Sequence, residues 1–355
     1  MVGGRGVPWL ANFPFRLALM KDFLCQCGET LYFENTSCSA CGCTVGWCDL
    51  CNSLRSVTGE GPFGCPTCST ALVACANRVQ HSICNGLVVS PKASDDTKPG
   101  LCRRCCITTV TPDKSDPKAV SQWGVLEAGK RLLIYGLDDL GLGWAWREGK
   151  PALRFRFVAD TPEKKVVTGH ASGVITINLQ EADPVHREIA KQDFGEPQRT
   201  VIGHLRHEFG HYLQLRLFGD QPGEEVTALF GDPAAVPYPE ALKAYYANGP
   251  RTDWREQHIS AYASAHPWED FAETASFYLD MMAVLDTLVS HQAILQSFPS
   301  TFDEALQAYQ TAAFVLNEVN RSMGLTDLVP YVVSEPVAKK LKCIDQGVKN
   351  ATVVA

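Results

Sequence analysis

The chain has 355 residues, enough for two domains with at least one sizeable core. A formal net charge of −7 with near-neutral hydropathy fits a soluble protein, and no apolar run is long enough to cross a bilayer. Residues 1–110 carry nine Lys/Arg against seven Asp/Glu, too little positive charge for a phosphate-binding surface, so nucleic acid is disfavoured as a partner.

Residues 1–24 contain Arg5 and Arg16 but only a short apolar segment, Leu17 to Met20. They lack a secretory core with a small-residue cleavage site, so they read as a disordered extension and the chain as cytoplasmic. Cysteine usage is the strongest compositional signal: fourteen of the fifteen lie between Cys25 and Cys106. Without a secretory signal, close cysteine pairs point to zinc rather than to a disulfide framework.

Residues 25–110 therefore read as a zinc-ribbon domain. Cys25, Cys27, Cys38 and Cys41 form a first set, with Gly28 and Gly42 following the second cysteine of each pair as a zinc knuckle requires. Cys48, Cys51, Cys65 and Cys68 form a second set at ribbon spacing. Cys75, Cys84, Cys102 and Cys105 make a looser third, with His81 as a substitute ligand and Cys43 and Cys106 as spares or alternates. Four thiolates leave no open position, so two to three zinc ions here are structural, and their binding supplies folding free energy that so small a segment lacks. Ser90 to Gly100 reads as a flexible loop, and Thr111 to Pro117 as the linker.

Residues 111–346 read as one α+β domain, with 347–355 as a tail. The spacing predicts a helix from Pro117 to about Leu140, a strand over Leu153–Val158, and strands over Val166–Thr168 and Val174–Leu179 joined by a loop carrying His170. Helices follow at about 184–193 and 197–218. Asp220 to Arg251, rich in Gly, Pro and Tyr, reads equally as an active-site rim or lid and as a plain surface insertion, with a short helix at about 239–247. A helix begins at Pro267 and runs to about Leu288, and two more, near 302–322 and 335–346, complete the core.

The chemistry centres on His207-Glu208-Phe209-Gly210-His211. Residues four apart share a helix face, so His207 and His211 can present two imidazoles to one cation. Zinc suits imidazole, and the neighbouring Glu208 is placed to act as general base for a water. Gly210 in mid-helix costs about 1 kcal/mol against Ala, which close packing behind the metal would justify. The third ligand is sought downstream. Glu269 and Glu273 lie one turn apart on the helix opened by Pro267, among apolar Phe271, Ala272 and Ala275. One can ligate; the other can accept the second ring N–H of a ligating histidine. Glu269 is assigned as ligand and Glu273 as the group behind it, with the reverse assignment as the alternative. Asp270 reads as a first-turn partner of the helix dipole. His204, one turn before His207, and His170 are candidate substrate contacts.

At this point the chain resembles the gluzincin metallopeptidases, whose third ligand is a glutamate in a helix downstream of the H-E-x-x-H motif. Tyr262, seven residues before Glu269, matches a tyrosine that lethal-factor-like gluzincins direct at the developing oxyanion. More closely, the chain is similar to a bacterial and fungal family of zinc-binding metallopeptidases with an N-terminal zinc ribbon. The stretches Leu31–Thr36, Thr168–His170, His204–His211, Ser260–Ser264, Trp268–Glu273 and Asn317–Leu325 carry that resemblance in the same order. It implies a zincin-like domain. Two departures stand out: Cys25-Gln26-Cys27 is one residue shorter than the usual pair, and the second cysteine set is extra ribbon material. The expected function is zinc-dependent hydrolysis of a peptide or protein, with a zinc-activated water, Glu208 as base and Tyr262 as oxyanion donor. Two other classes share these features: a ribbon-based binding protein with an inactive or regulatory peptidase domain, and a zinc hydrolase of a non-peptide amide.

Overall fold

The computed structural model describes residues 23–59, 62–90, 100–194, 199–219 and 221–354. Residues 1–22 and 91–99, which the sequence suggests are an extension and a loop, lie outside the described set.

The cysteine-rich part is built from short strands interrupted by cysteine-bearing turns. β1 (Phe23–Leu24) and β2 (Thr30–Leu31) form one antiparallel pair. A second sheet contains β3 (Val45–Cys48), β4 (Ser53–Ser56), β5 (Phe63–Gly64), β6 (Ala71–Ala74) and β7 (Gly86–Val89), in the order β4-β3-β7-β6-β5. α1 (Ala76–His81) links β6 to β7, and α2 (Arg103–Cys106) ends the region. Its apolar content is small and gathers on Trp47, whose ring meets Phe23, Phe33 and Tyr135 at centroid distances of 5.3 to 5.8 Å.

Tyr135 belongs to α3 (Pro117–Asp139), the long helix against which the ribbon packs. Asp116 caps α3 and Pro117 opens it, where its missing N–H costs nothing. Arg131 on α3 donates to Glu34 Oε2 at 2.5 Å and to the Ile83 carbonyl at 2.6 Å. Arg104 lies 4.0 Å over the Trp47 ring and 3.7 Å from Asp138. Glu127 and Lys130, fully buried and 2.7 Å apart, share the Thr108 hydroxyl. Burial of so many charges is tolerated because each has a partner.

After α2 the chain enters its second half through β8 (Thr108–Val110). Then come α4 (Gly143–Arg147), β9 (Arg154–Val158), β10 (Gly169–Ala171) and β11 (Val174–Asn178). Their sheet runs β10-β11-β9-β8; β8, β9 and β11 are parallel, and β10 is an antiparallel edge strand. β8 thus falls within the stretch assigned by sequence to the ribbon, yet pairs with β9 in this four-stranded sheet and not with any described ribbon strand. α5 (Pro184–Phe194) and α6 (Val201–Phe218) follow, the latter capped by Thr200, whose side chain accepts from Gly203. Then come α7 (Glu224–Phe230), α8 (Tyr238–Asn248) and α9 (Trp254–Gln257). α10 (Pro267–Ser290) packs along α6; α11 (Phe302–Ser322), with a Thr301/Glu304 capping box, and α12 (Glu335–Val354) close the core.

Two expectations shift. The predicted strand at Val166–Thr168 moves to Gly169–Ala171, because Ser172 (φ 47°) and Gly173 (φ 84°) make a two-residue hairpin turn. His170 is therefore on a strand, not in a loop. The predicted tail from 347 is helical instead: α12 continues to Val354 and buries Val348 in the main core. None of the described helices is long and apolar enough to cross a membrane.

Candidate metal centre

α6 and α10 cross with their backbones in close approach at Gly210. A Cβ there would lie 2.8 Å from the Ala272 carbonyl oxygen and 2.9 Å from its Cα, so glycine is required. That approach brings His207 and His211 of α6 against Glu269 in the first turn of α10. His207 Nε2 is 3.1 Å and His211 Nε2 3.6 Å from Glu269 Oε2. The three candidate donor atoms all fall within 4.8 Å of one another. Glu269 Oε2 is buried and makes no directed hydrogen bond among the described residues. Three potential ligand atoms converging at one point, with Glu269 Oε2 outside any directed hydrogen bond, is the arrangement a cation satisfies, and imidazole with carboxylate suits zinc.

Glu273, one turn along α10, receives His207 Nδ1 at 2.6 Å, and Ser260 donates to its other oxygen at 2.6 Å. This contact fixes the His207 tautomer so that Nε2 faces the cluster. Burial pushes the His207 pKa down, but Glu269 and Glu273 on its two nitrogens outweigh that and raise it well above an ordinary histidine. The negative field of the two carboxylates that favours a proton there also favours a metal cation. Burial also pushes Glu269 up, yet His207 and His211 hold it well below the usual carboxylate range.

Around this cluster stand the other candidates. Glu208 is buried, its Oε2 has no hydrogen-bond partner among the described residues, and burial raises its pKa. Tyr262 lies in a 3-10 turn (Tyr262–Ala265), its ring 6.1 Å from that of His207. Burial, reinforced by the negative charge of Glu269, pushes its pKa upward and keeps the hydroxyl a donor. His170 on β10 stacks near-parallel with His211 at 6.5 Å. Its Nε2 accepts from Gly173 N, and burial followed by the His211 charge lowers its pKa to about 4. His204 faces away from the cluster: its Nδ1 is 3.2 Å from Glu181 Oε2, in a group with Arg199. Asp270 is more than a partner of the helix dipole, because it is fully buried and ion-paired to Lys340 at 2.6 Å. Sequence reasoning missed Tyr238, whose hydroxyl donates to Glu269 Oε1 at 2.5 Å, and Trp268, whose ring is 4.6 Å from His211. The composition of the Gly/Pro/Tyr-rich stretch pointed to the segment, but no spacing singled out Tyr238.

Twelve cysteines come together in the three sets expected: Cys25, Cys27, Cys38 and Cys41; Cys48, Cys51, Cys65 and Cys68; Cys75, Cys84, Cys102 and Cys105. The third set is the most buried and the first the most exposed. Cys43 Sγ approaches Cys25 Sγ to 3.4 Å, so the shortened first pair has a fifth thiol at hand. His81 stays outside the third set; its ring lies 5.6 Å from Trp123.

Comparison with known proteins agrees with this division. Residues 119–347 match the family described as "Putative zinc-binding metallo-peptidase", and residues 22–116 match a zinc-ribbon domain family. Proteins of Mycobacterium tuberculosis and Mycobacterium bovis, each described as an uncharacterized protein, are 36% identical over 338 residues. Those alignments cover 92% of this chain and 94% of each relative. No solved structure matches.

Proposed function

Since the chain belongs to this family of zinc-binding metallopeptidases, preceded by a zinc ribbon, we propose that it hydrolyses peptide bonds at the His207–His211–Glu269 centre. The observation that carries this reading is the convergence of those three donors, backed by Glu273 and Ser260, beside a carboxylate with a free oxygen. His207, His211 and Glu269 would hold zinc, which when bound supplies a Lewis acid that polarises the scissile carbonyl and acidifies water. Glu208 takes a proton from the attacking water and passes it to the leaving amine. Its buried site, which raises its pKa, suits both halves of that transfer. Tyr262, held protonated, donates to the oxygen on which negative charge develops. β10 is an edge strand in contact with α6, so an extended peptide can add to it by main-chain hydrogen bonds, with His170 beside it. In this reading one zinc is catalytic and three are structural, and thiolate sets of this kind suit a reducing compartment such as the cytoplasm.

The test is cleavage of a diverse peptide library by zinc-loaded wild type and Glu208→Gln, read by mass spectrometry. Wild type should cut, and the variant should keep its zinc while losing at least about 100-fold in rate. Equal cleavage by both would remove Glu208 from the mechanism. Fully loaded wild type that cuts no peptide would overturn the peptidase assignment in favour of a regulatory domain, or of a non-peptide amide hydrolase if an amide panel is cut instead.

A further inference from the structure

We infer that Tyr238 is a positioning residue of the metal centre, and that through it the segment 232–250 is latched over the site. The inference rests on the ligand assignment proposed above. Its starting point is how the Glu269 carboxylate is divided. Oε2 faces the two histidines, while Oε1 accepts the Tyr238 hydroxyl at 2.5 Å. Glu269 is only 1% exposed, so without that phenol Oε1 would be a buried charged oxygen with no partner. The hydroxyl therefore fixes the rotamer of the carboxylate and reserves one oxygen for the ion.

The second observation concerns α8 itself. None of its residues is buried, so the helix has no core of its own to hold it in place. Its fastenings lie at the metal centre. The Tyr238 ring stands edge-on to His266 at 5.2 Å and to Trp268 at 5.3 Å, and Trp268 in turn packs on His211. The Tyr245 ring stands edge-on to Tyr262 at 5.7 Å. Just before α8, the Val236 carbonyl lies 3.3 Å from His266 Nε2. His266 Nδ1 accepts from Trp268 N, so Nε2 carries the proton and donates. A surface segment attached chiefly through groups touching the ligands is ordered by the same contacts that order the ligands. Coupling of this kind is reciprocal: if the Tyr238 contact strengthens metal binding, metal binding strengthens the hold on α8.

Tyr238→Phe keeps the ring and removes only the hydroxyl, which donates to Glu269 and also meets the Tyr262 hydroxyl. In the zinc-loaded protein, transfer of zinc to an excess chelator should show one of the four ions leaving 10 to 100 times faster than in wild type, with the other three unchanged. Amide hydrogen exchange across 238–248 should rise in this variant, and also in wild type stripped of that one ion. Tyr246→Phe, on the exposed face of the same helix, should alter neither. Unchanged zinc release in Tyr238→Phe would overturn the proposal, as would accelerated exchange in α8 without accelerated release. Neither readout needs peptide cleavage, so an inactive protein leaves them interpretable. Failure of the underlying ligand assignment shows separately, as full zinc content in Glu269→Ala.

Discussion

The cysteine sets and the histidine–glutamate centre offer zinc opposite kinds of surroundings. Each cysteine set presents four sulfurs, enough to close a tetrahedral shell, in a region of short strands with little apolar core of its own. The other centre presents three donors and depends on its neighbours for order: Glu273 and Ser260 on one side, Tyr238 on another, Ala272 packed against Gly210 beneath. In the proposed reading the metal would organise the protein in the first case, whereas in the second the protein is already organised and a metal there would keep room for chemistry. The two parts meet at α3, which packs against α6 and whose Arg131 holds Glu34 and the Ile83 carbonyl of the ribbon.

The largest effect should come from the ribbon, and from its third set in particular. Cys102 sits against Gly86, where a Cβ would fall 2.7 Å from its sulfur, and Ile83 and Ile107 beside this set belong to the peptidase core. Cys102→Ser should therefore lose a large part of the metal-linked folding energy of that set, which for a whole structural zinc is on the order of 10 kcal/mol, and abolish cooperative unfolding of the whole chain. Cys27→Ser, in the exposed first set, should lower zinc content while calorimetry still shows a folded peptidase half. Equal damage from both would break the distinction between a bracing set and a peripheral one.

A smaller effect is expected at the α6–α10 crossing. Gly210→Ala gains about 1 kcal/mol of helix propensity but pushes a methyl into the Ala272 backbone, at about 1 to 3 kcal/mol or more. Denaturant unfolding should show net destabilisation, and zinc at the histidine pair should bind more weakly. A more stable variant would mean the helices separate easily, and the centre is less preorganised than described.

Subtler still is a pH effect. His170 is held neutral to about pH 4 against an ordinary value of 6.5, chiefly by burial. Because the folded value is the lower one, the unfolded chain takes up the proton first. The contribution is full above 6.5 and is lost as pH falls toward about 4. His170→Asn should flatten the stability–pH curve in that window, as urea titrations at several pH values would show. An unchanged slope would place His170 in solvent.

Much of this centre was legible beforehand because helical spacing is a local property. His207 and His211, and Glu269 and Glu273, needed only a period near 3.6 to share faces, and the chemistry of their side chains supplied the rest. Gly210 announced a close approach for the same reason: its cost in a helix demanded a gain elsewhere. What stayed hidden depends on distant contacts. Tyr238 matters because of where α8 lies on α10, and nothing within its own stretch says so. β8 reads as the end of the ribbon by its neighbours but pairs with β9, forty-odd residues on, and pairing partners leave no local signature. The β10 shift turned on Ser172 adopting a left-handed conformation, which its side chain does not announce. His204 shows the limit of face-sharing, since its proximity in spacing was overridden by Glu181.

The comparison between closed and open metal sites is tested most directly by counting zinc in purified wild type and in Glu269→Ala. Four candidate sites predict four zinc ions per wild-type chain, and three in the variant with the ribbon unchanged. Four ions in both proteins would contradict the assignment of Glu269, and three in both would mean that the histidine pair does not hold the metal at all.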